Sequence, residues 1–284
     1  MINREMLQYL GCPNCSGAPL TLVSEQEQEQ DGCILEGRLH CSQGHEFPIR
    51  AGIPLLLAQG VVQGDEWETW QRHLEGFRQR RERRQQEPVQ VTHRLGRSEV
   101  QQQDFAAFTE IQHGRILDVG CGPGKFRQCF DPERVAYIGL DPITLPETGE
   151  FPFAVGLAEY LPFQDEAFSD VTVLAALDHF NDKEAFFREV VRVLAPDGRF
   201  HLLQSIHETK GLKGRLKHLA HEAKDFMEAK LGGANPEGVP EHMTEFGFDE
   251  LMELMRTFFR VEKEQSYDVR LLAPTRMFLS MRKP

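Results

Sequence analysis

Residues 115–126 run R-I-L-D-V-G-C-G-P-G-K-F. An apolar stretch with β-branched members (Ile116, Leu117, Val119) ends in Gly120, Gly122 and Gly124, and a helix-compatible segment follows. The pattern predicts a buried parallel strand, a tight glycine turn and a helix start. Glycine lets the backbone come close to a ligand, and amides at a helix N-terminus favour polar or anionic groups. In an open α/β sheet this turn marks a nucleotide-type site at the carboxyl end of the first strand. Downstream, Ala136–Leu140 form a second apolar run that ends in Asp141. An acidic residue there suits two vicinal ribose hydroxyls. A dinucleotide G-x-G-x-x-G would need glycine at position 125, where Lys125 stands.

The D-V-G-C-G-P-G form instead resembles the first motif of class I S-adenosylmethionine-dependent methyltransferases. The likeness continues through Phe153–Gly156, read as a third strand. It extends to A-E-Y-L-P-F-Q-D-E-A-F-S-D-V (158–171), L-A-A-L-D-H-F-N-D (174–182) and E-V-V-R-V-L-A-P-D-G-R-F (189–200). It covers roughly residues 114–204 in the family's order and spacing. The resemblance implies an α/β fold with a doubly wound, mostly parallel, seven-stranded Rossmann-like sheet, and S-adenosyl-L-methionine as cofactor. It also implies residue roles. Asp118 and the backbone of Gly120, Cys121, Gly122 and Gly124 would hold the amino acid end of the cofactor. Asp141 would take the ribose hydroxyls with Pro142 beside it. Ala158 and Glu159 would border the adenine, and Leu174 to Leu177 would floor the site near the sulfonium.

Cys12 and Cys15 form C-P-N-C, and Cys41 and His45 form C-S-Q-G-H. Two thiolates separated by two residues sit on a knuckle turn that aims both sulfurs at one ion, and Cys3His is an ordinary zinc ligand set. Cys33 pairs with nothing by spacing. Met1–Leu10 carry Arg4 and Glu5 and lack the apolar core of a signal peptide, so a cytoplasmic protein with a metal site is expected rather than a disulfide. L-G-C-P-N-C-S-G-A-P-L (10–20) and L-H-C-S-Q-G-H-E-F-P-I-R-A-G-I-P-L-L-L (39–57) resemble the small zinc-ribbon family that includes methyltransferase activator subunits. Many members of that family have lost ligands and kept the fold.

The chain has 284 residues, 40% hydrophobic and 27% charged, enough for two domains and a sizeable core. No apolar run approaches the ~20 residues of a membrane span. A net charge of −12 makes the whole protein a poor general binder of nucleic acid. Residues 72–97 nevertheless hold eight Arg against three Glu. The Arg78, Arg80, Arg81, Arg83, Arg84 run reads as a solvated helix or as an arm that contacts RNA phosphates.

The expected layout is a small β-rich zinc ribbon (1–60), a helical Arg/Gln-rich connector (61–104) and a methyltransferase domain (105–284). In the connector, Trp67, Trp70, Leu74 and Phe77 recur at helical spacing. E-Q-E-Q-E-Q (25–30) reads as an exposed hairpin tip or loop. A lid is expected over 207–245, which contains the glycine- and proline-rich stretch 232–240. Helix is expected over Phe246–Phe258, and strands over Phe259–Gln265 and Arg276–Met281.

Methyl transfer from a sulfonium is an in-line displacement, and the protein supplies proximity, orientation and, where needed, a base. His179, after strand four, and His207 and His242, from the lid, are the candidate bases. A-L-D-H-F is not the Asn/Asp-Pro-Pro-aromatic box of enzymes that methylate planar amino groups, and Cys121 and Cys129 lie on the cofactor side. The leading expectation is transfer to an oxygen or nitrogen of a small metabolite or biosynthetic intermediate. The alternatives are a ribosomal or transfer RNA methyltransferase docked through the ribbon, and a non-catalytic cofactor-binding scaffold.

Overall fold

The structure is a computed structural model. It describes residues 1–23, 28–30, 32–60, 92–143, 151–206, 246–268 and 275–284, with residues 68, 72, 75, 76 and 79. The Arg78–Arg84 run, the tryptophan stripe and the expected lid with His207 and His242 lie outside the described residues.

Helix α1 (Arg4–Leu7) starts where Asn3 Oδ1 accepts from Met6 N at 2.8 Å. Strands β1 (Gly11–Cys12) and β2 (Ala18–Pro19) pair antiparallel across the first cysteine knuckle. Strands β3 (Thr21–Leu22), β4 (Gln28–Gln30), β5 (Cys33–His40), β6 (Glu46–Arg50) and β7 (Ile53–Pro54) form a second sheet in the order β3-β5-β6-β7, with β4 pairing β5. In β6, Phe47 and Ile49 are buried while Glu46 and Arg50 are exposed, the period-two pattern of a half-covered strand. The acidic-glutamine run is therefore not all loop. Gln28–Gln30 continue the hairpin opposite Cys33–Glu36 because β5 offers them a free edge.

Helix α2 (Thr92–Thr109) leads into the main sheet. It runs through the expected connector boundary at 104/105, because Phe105 and Phe108 anchor its last turn against Phe126 and Phe278. The strands are β8 (Gly114–Val119), β9 (Val135–Asp141), β10 (Phe153–Val155), β11 (Phe168–Leu174), β12 (Leu194–Ile206), β13 (Arg260–Asp268) and β14 (Thr275–Arg282). Their order is β10-β9-β8-β11-β12-β14-β13. Pairing is parallel from β10 to β12 and antiparallel on both sides of β14. The chain moves outward from β8 in one direction and then resumes at β11 on the other side. Ligands of open α/β sheets bind at that reversal.

Neighbours on one strand serve opposite faces. Leu117 joins the core that contains helices α3 (Lys183–Val193) and α4 (Phe248–Phe258), while Ile116 joins the core under α2. Phe186, Phe187, Val190 and Val193 make the buried stripe of α3, and Asp182 caps it by accepting from Ala185 N at 2.9 Å. Each such fully buried side chain contributes roughly 1.5–3 kcal/mol.

The glycine turn departs from expectation in one respect. A single 3-10 segment, Lys125–Cys129, follows it rather than an α-helix. Phe130 is extended, and Pro132 bars its predecessor from helical geometry.

The N-terminal β unit docks on the edge of the large sheet. Leu55 bridges Val155 in parallel, and Leu56 N donates to Val155 O at 2.8 Å. Gly11 N donates to Pro162 O, and Gln164 N to Tyr9 O, both at 2.9 Å. The Arg115 guanidinium stacks 3.4 Å from the Tyr9 ring centroid and also bonds the Tyr9 hydroxyl.

Candidate active site and metal centre

The glycine turn is pinned to the next strand: Gly120 N and Cys121 N both donate to Leu140 O, at 2.8 and 3.2 Å. Gly120 has φ of 71°, and a Cβ there would lie 2.6 Å from the Ala176 Cβ. Only glycine allows the turn to close against the segment after β11. Asp141, 6% exposed, accepts from Gly122 N through Oδ2 and from Ile143 N through Oδ1, both at 2.9 Å. The acid at the end of β9 thus lies against the turn at the end of β8, and Pro142 follows it half-buried.

Asp118 is elsewhere than on the turn's surface. It is 2% exposed, accepts a short hydrogen bond from the Tyr137 hydroxyl and takes another from Thr172 Oγ1 at 3.1 Å. Burial outweighs both bonds and pushes its carboxyl up to about 7, with the charge of Asp141 adding to the rise. The Tyr137 hydroxyl is held well above its ordinary range by the same burial. Sequence reasoning missed Tyr137 and Thr172 as partners. The signal was a tyrosine and a threonine inside otherwise apolar strands.

Ala158 and Glu159 open a 3-10 turn over Ala158–Tyr160, and both are buried. Glu159 Oε1 accepts from Asn181 N at 2.6 Å and from Asp182 N at 3.2 Å. It holds the segment between β11 and α3, and burial raises its pKa. Leu174 ends β11 half-buried, and a 3-10 turn, Leu177–His179, follows. His179 lies there with its Nε2 3.9 Å from Asp178 Oδ2, its side chain 16% exposed. Of the three candidate bases, the described residues place this one at the carboxyl ends of the strands.

Cys12, Cys15, Cys41 and His45 converge: their ligand atoms all lie within 4.8 Å of one another. His45 Nδ1 stands 3.8, 3.3 and 3.4 Å from the sulfurs of Cys12, Cys15 and Cys41, and the Cys15 and Cys41 sulfurs are 4.0 Å apart. A tetrahedral zinc with bonds of about 2.3 Å to sulfur and 2.0 Å to nitrogen requires ligand separations of roughly 3.5–3.8 Å, so the donor set fits the ion. Burial alone raises the Cys41 thiol, but the His45 ring and the backbone amides of His45 and Gln43 draw it down to about 6. Cys33 stands outside the cluster, at the start of β5.

Residues 117–202 match the methyltransferase domain family. Over that stretch the chain matches a methyltransferase domain, and the stretch carries the strand order and the turn facing Asp141 described above. Among curated proteins, an uncharacterized methyltransferase of Bacillus subtilis, YcgJ, is 38% identical over 100 residues, 31% of this chain and 40% of that protein. Ajmaline N-methyltransferase of Rauvolfia serpentina is 36% identical over 118 residues, 37% of this chain and 40% of that protein. The chain therefore spans well under two thirds of the length of these relatives. Among solved structures, the PH0226 protein of Pyrococcus horikoshii superposes with a TM-score of 0.51 at 18% identity, covering 66% of this chain and 91% of that one. A Burkholderia thailandensis 1,6-didemethyltoxoflavin-N1-methyltransferase, solved with S-adenosylhomocysteine, has a TM-score of 0.50 at 18% identity, covering 66% and 80%. These two likenesses concern the fold.

Proposed function

We propose that the chain is a methyltransferase that uses S-adenosyl-L-methionine to methylate an oxygen or nitrogen of a small molecule. One observation carries the reading: the glycine turn at the end of β8 lies against the buried Asp141 at the end of β9. A carboxylate has about four acceptor sites, so Asp141 can order the turn through Gly122 and also bind ribose hydroxyls. Ala158, buried at the site's rim, would border the adenine, and Leu174 the reacting end. The cofactor supplies an electrophilic methyl group, and the protein's part is orientation and exclusion of water. His179 is the candidate base. That relatives include an enzyme named for N-methylation supports nitrogen among the acceptor atoms.

In the same reading Cys12, Cys15, Cys41 and His45 hold one structural zinc. The metal would complete the small N-terminal unit, whose own core is limited. The test is calorimetric titration of S-adenosylhomocysteine, followed by transfer of labelled methyl into cell extract split into small-molecule, RNA and protein fractions. Label in the small-molecule fraction is expected. Label in RNA alone would reassign the substrate, and absence of cofactor binding would reject the enzyme.

A further inference from the structure

Gln204 is a buried amide at the carboxyl end of β12, 3% exposed. In register, Leu203 pairs with Leu174, the last residue of β11, and Ala175 N donates to Leu203 O at 2.7 Å. Gln204 therefore lies one step past the end of β11, beside the Leu177–His179 turn. Its Nε2 donates to Asp178 Oδ1 at 3.3 Å. Asp178 is itself 4% exposed. A carboxylate requires the donor end of the amide, so this bond fixes which way the amide faces. The Oε1 atom is then left buried, with no hydrogen-bond partner among the described residues. A buried acceptor without a donor is destabilising, so its retention points to a donor that arrives from outside the chain. The location is where open α/β sheets bind their ligands.

We propose that Gln204, oriented by Asp178, recognises the methyl acceptor and accepts a hydrogen bond from the N–H of a primary or secondary amine. The proposal rests on the methyltransferase reading and narrows its substrate to amines. Nitrogen is favoured over oxygen by charge. As the nitrogen lone pair takes the methyl carbon, the C–S bonding pair goes to sulfur and the positive charge passes to nitrogen, until its proton leaves to the candidate base His179. The buried Asp178 carboxylate favours that charge at a site of low dielectric.

The test uses the full-length protein. S-adenosylhomocysteine is first titrated onto wild type, Gln204→Met and Asp178→Asn. Similar affinity in all three shows intact cofactor sites; Gln204→Met removes the unpaired acceptor but also the donor to Asp178, so its melting temperature is expected to fall by no more than a few degrees. No binding to the wild type would reject the methyltransferase reading itself, and the proposal with it. A panel of primary and secondary amine fragments, each paired with its methylene or ether isostere, is then titrated onto the cofactor-product-saturated proteins. At least one amine is expected to bind wild type at least tenfold better than its isostere. Gln204→Met is expected to abolish that preference. Asp178→Asn is expected to weaken it, because the new amide can itself donate to Oε1. With cofactor product bound, an equal response of the wild type to amines and isosteres would overturn the proposal. So would a preference that survives Gln204→Met, the result expected if a fixed water satisfies Oε1.

Discussion

Asp118 holds a carboxyl where water does not reach it. Its ordinary pKa of 3.8 rises to about 7 on folding, chiefly through burial. The native state therefore binds this proton more tightly than the unfolded chain. Below about pH 4 both states are protonated and Asp118 carries no penalty. Between pH 4 and 7 stability falls as pH rises, and the full penalty, on the order of 4 kcal/mol, is present above 7. Asp118→Asn removes the titration and can still accept from Tyr137. The variant is expected to gain about 2 kcal/mol on the wild type between pH 5 and pH 8, measured by denaturant unfolding. Parallel pH profiles for the two proteins would contradict this account of the buried triad. Asp141 makes a different claim. Its backbone partners place it beside the turn, so Asp141→Ala is expected to weaken S-adenosylhomocysteine binding by about 1–3 kcal/mol while the protein stays folded. Unchanged affinity by calorimetry would remove Asp141 from the cofactor site.

Elements tie the Cys/His cluster to the candidate active site. The knuckle that carries Cys12 and Cys15 presses Gly17 against Arg192 of α3; a Cβ at Gly17 would lie 2.2 Å from Arg192 Nη1 and 2.6 Å from Phe163 O, and φ there is +80°. Arg192 also donates to Leu161 O and Phe163 O, at 2.9 and 2.7 Å. Its guanidinium thus holds the loop that continues from Ala158 and Glu159. Gly17→Val is expected to cost at least about 2 kcal/mol in the denaturant midpoint, through steric overlap and unfavourable backbone together. A neutral result would mean that the knuckle can shift away from α3. One zinc per chain is expected by elemental analysis, lost in Cys41→Ser, with a lower melting temperature on chelation. The first strand and its glycine turn were legible because Ile116, Leu117 and Val119 precede three glycines, the doubly wound sheet was legible through the family resemblance, and the cysteine spacing announced its cluster. The 3-10 segment after the turn was less legible, since Pro132 acts on the chain before it. The role of Glu159 was not legible at all. Its amide partners lie 22 and 23 residues away and meet it only once α3 has packed.

At the scale of the molecule, the large sheet has two edges, and the chain treats them differently. The β13 edge carries Arg260, Glu262, Lys263 and Glu264 and has a register shift between Val261 and Lys263. Its charges are tied inward, with Arg282 2.9 Å from Glu262 and Lys263 2.9 Å from Glu110. A charged, bulged edge resists pairing with another chain. The β10 edge has no such defence: it reads Phe153-Ala154-Val155, all buried. Leu55 and Leu56 cover it, and the adjoining Leu10 and Phe163 are fully buried. Removal of residues 1–60 therefore exposes both unpaired backbone and contiguous apolar surface on one side only. The fragment 61–284 is expected to self-associate at micromolar concentration, seen as a rise in scattered light and a lower melting temperature. Lysine in place of Val155 in that fragment is expected to reduce the association, because a charge at the edge repeats the device found on β13. A monomeric fragment with the melting temperature of the full chain would show that β10 needs no cover, and the docking of the N-terminal unit would then rest on the contacts of Tyr9, Gly11, Arg115, Gln164 and Arg192.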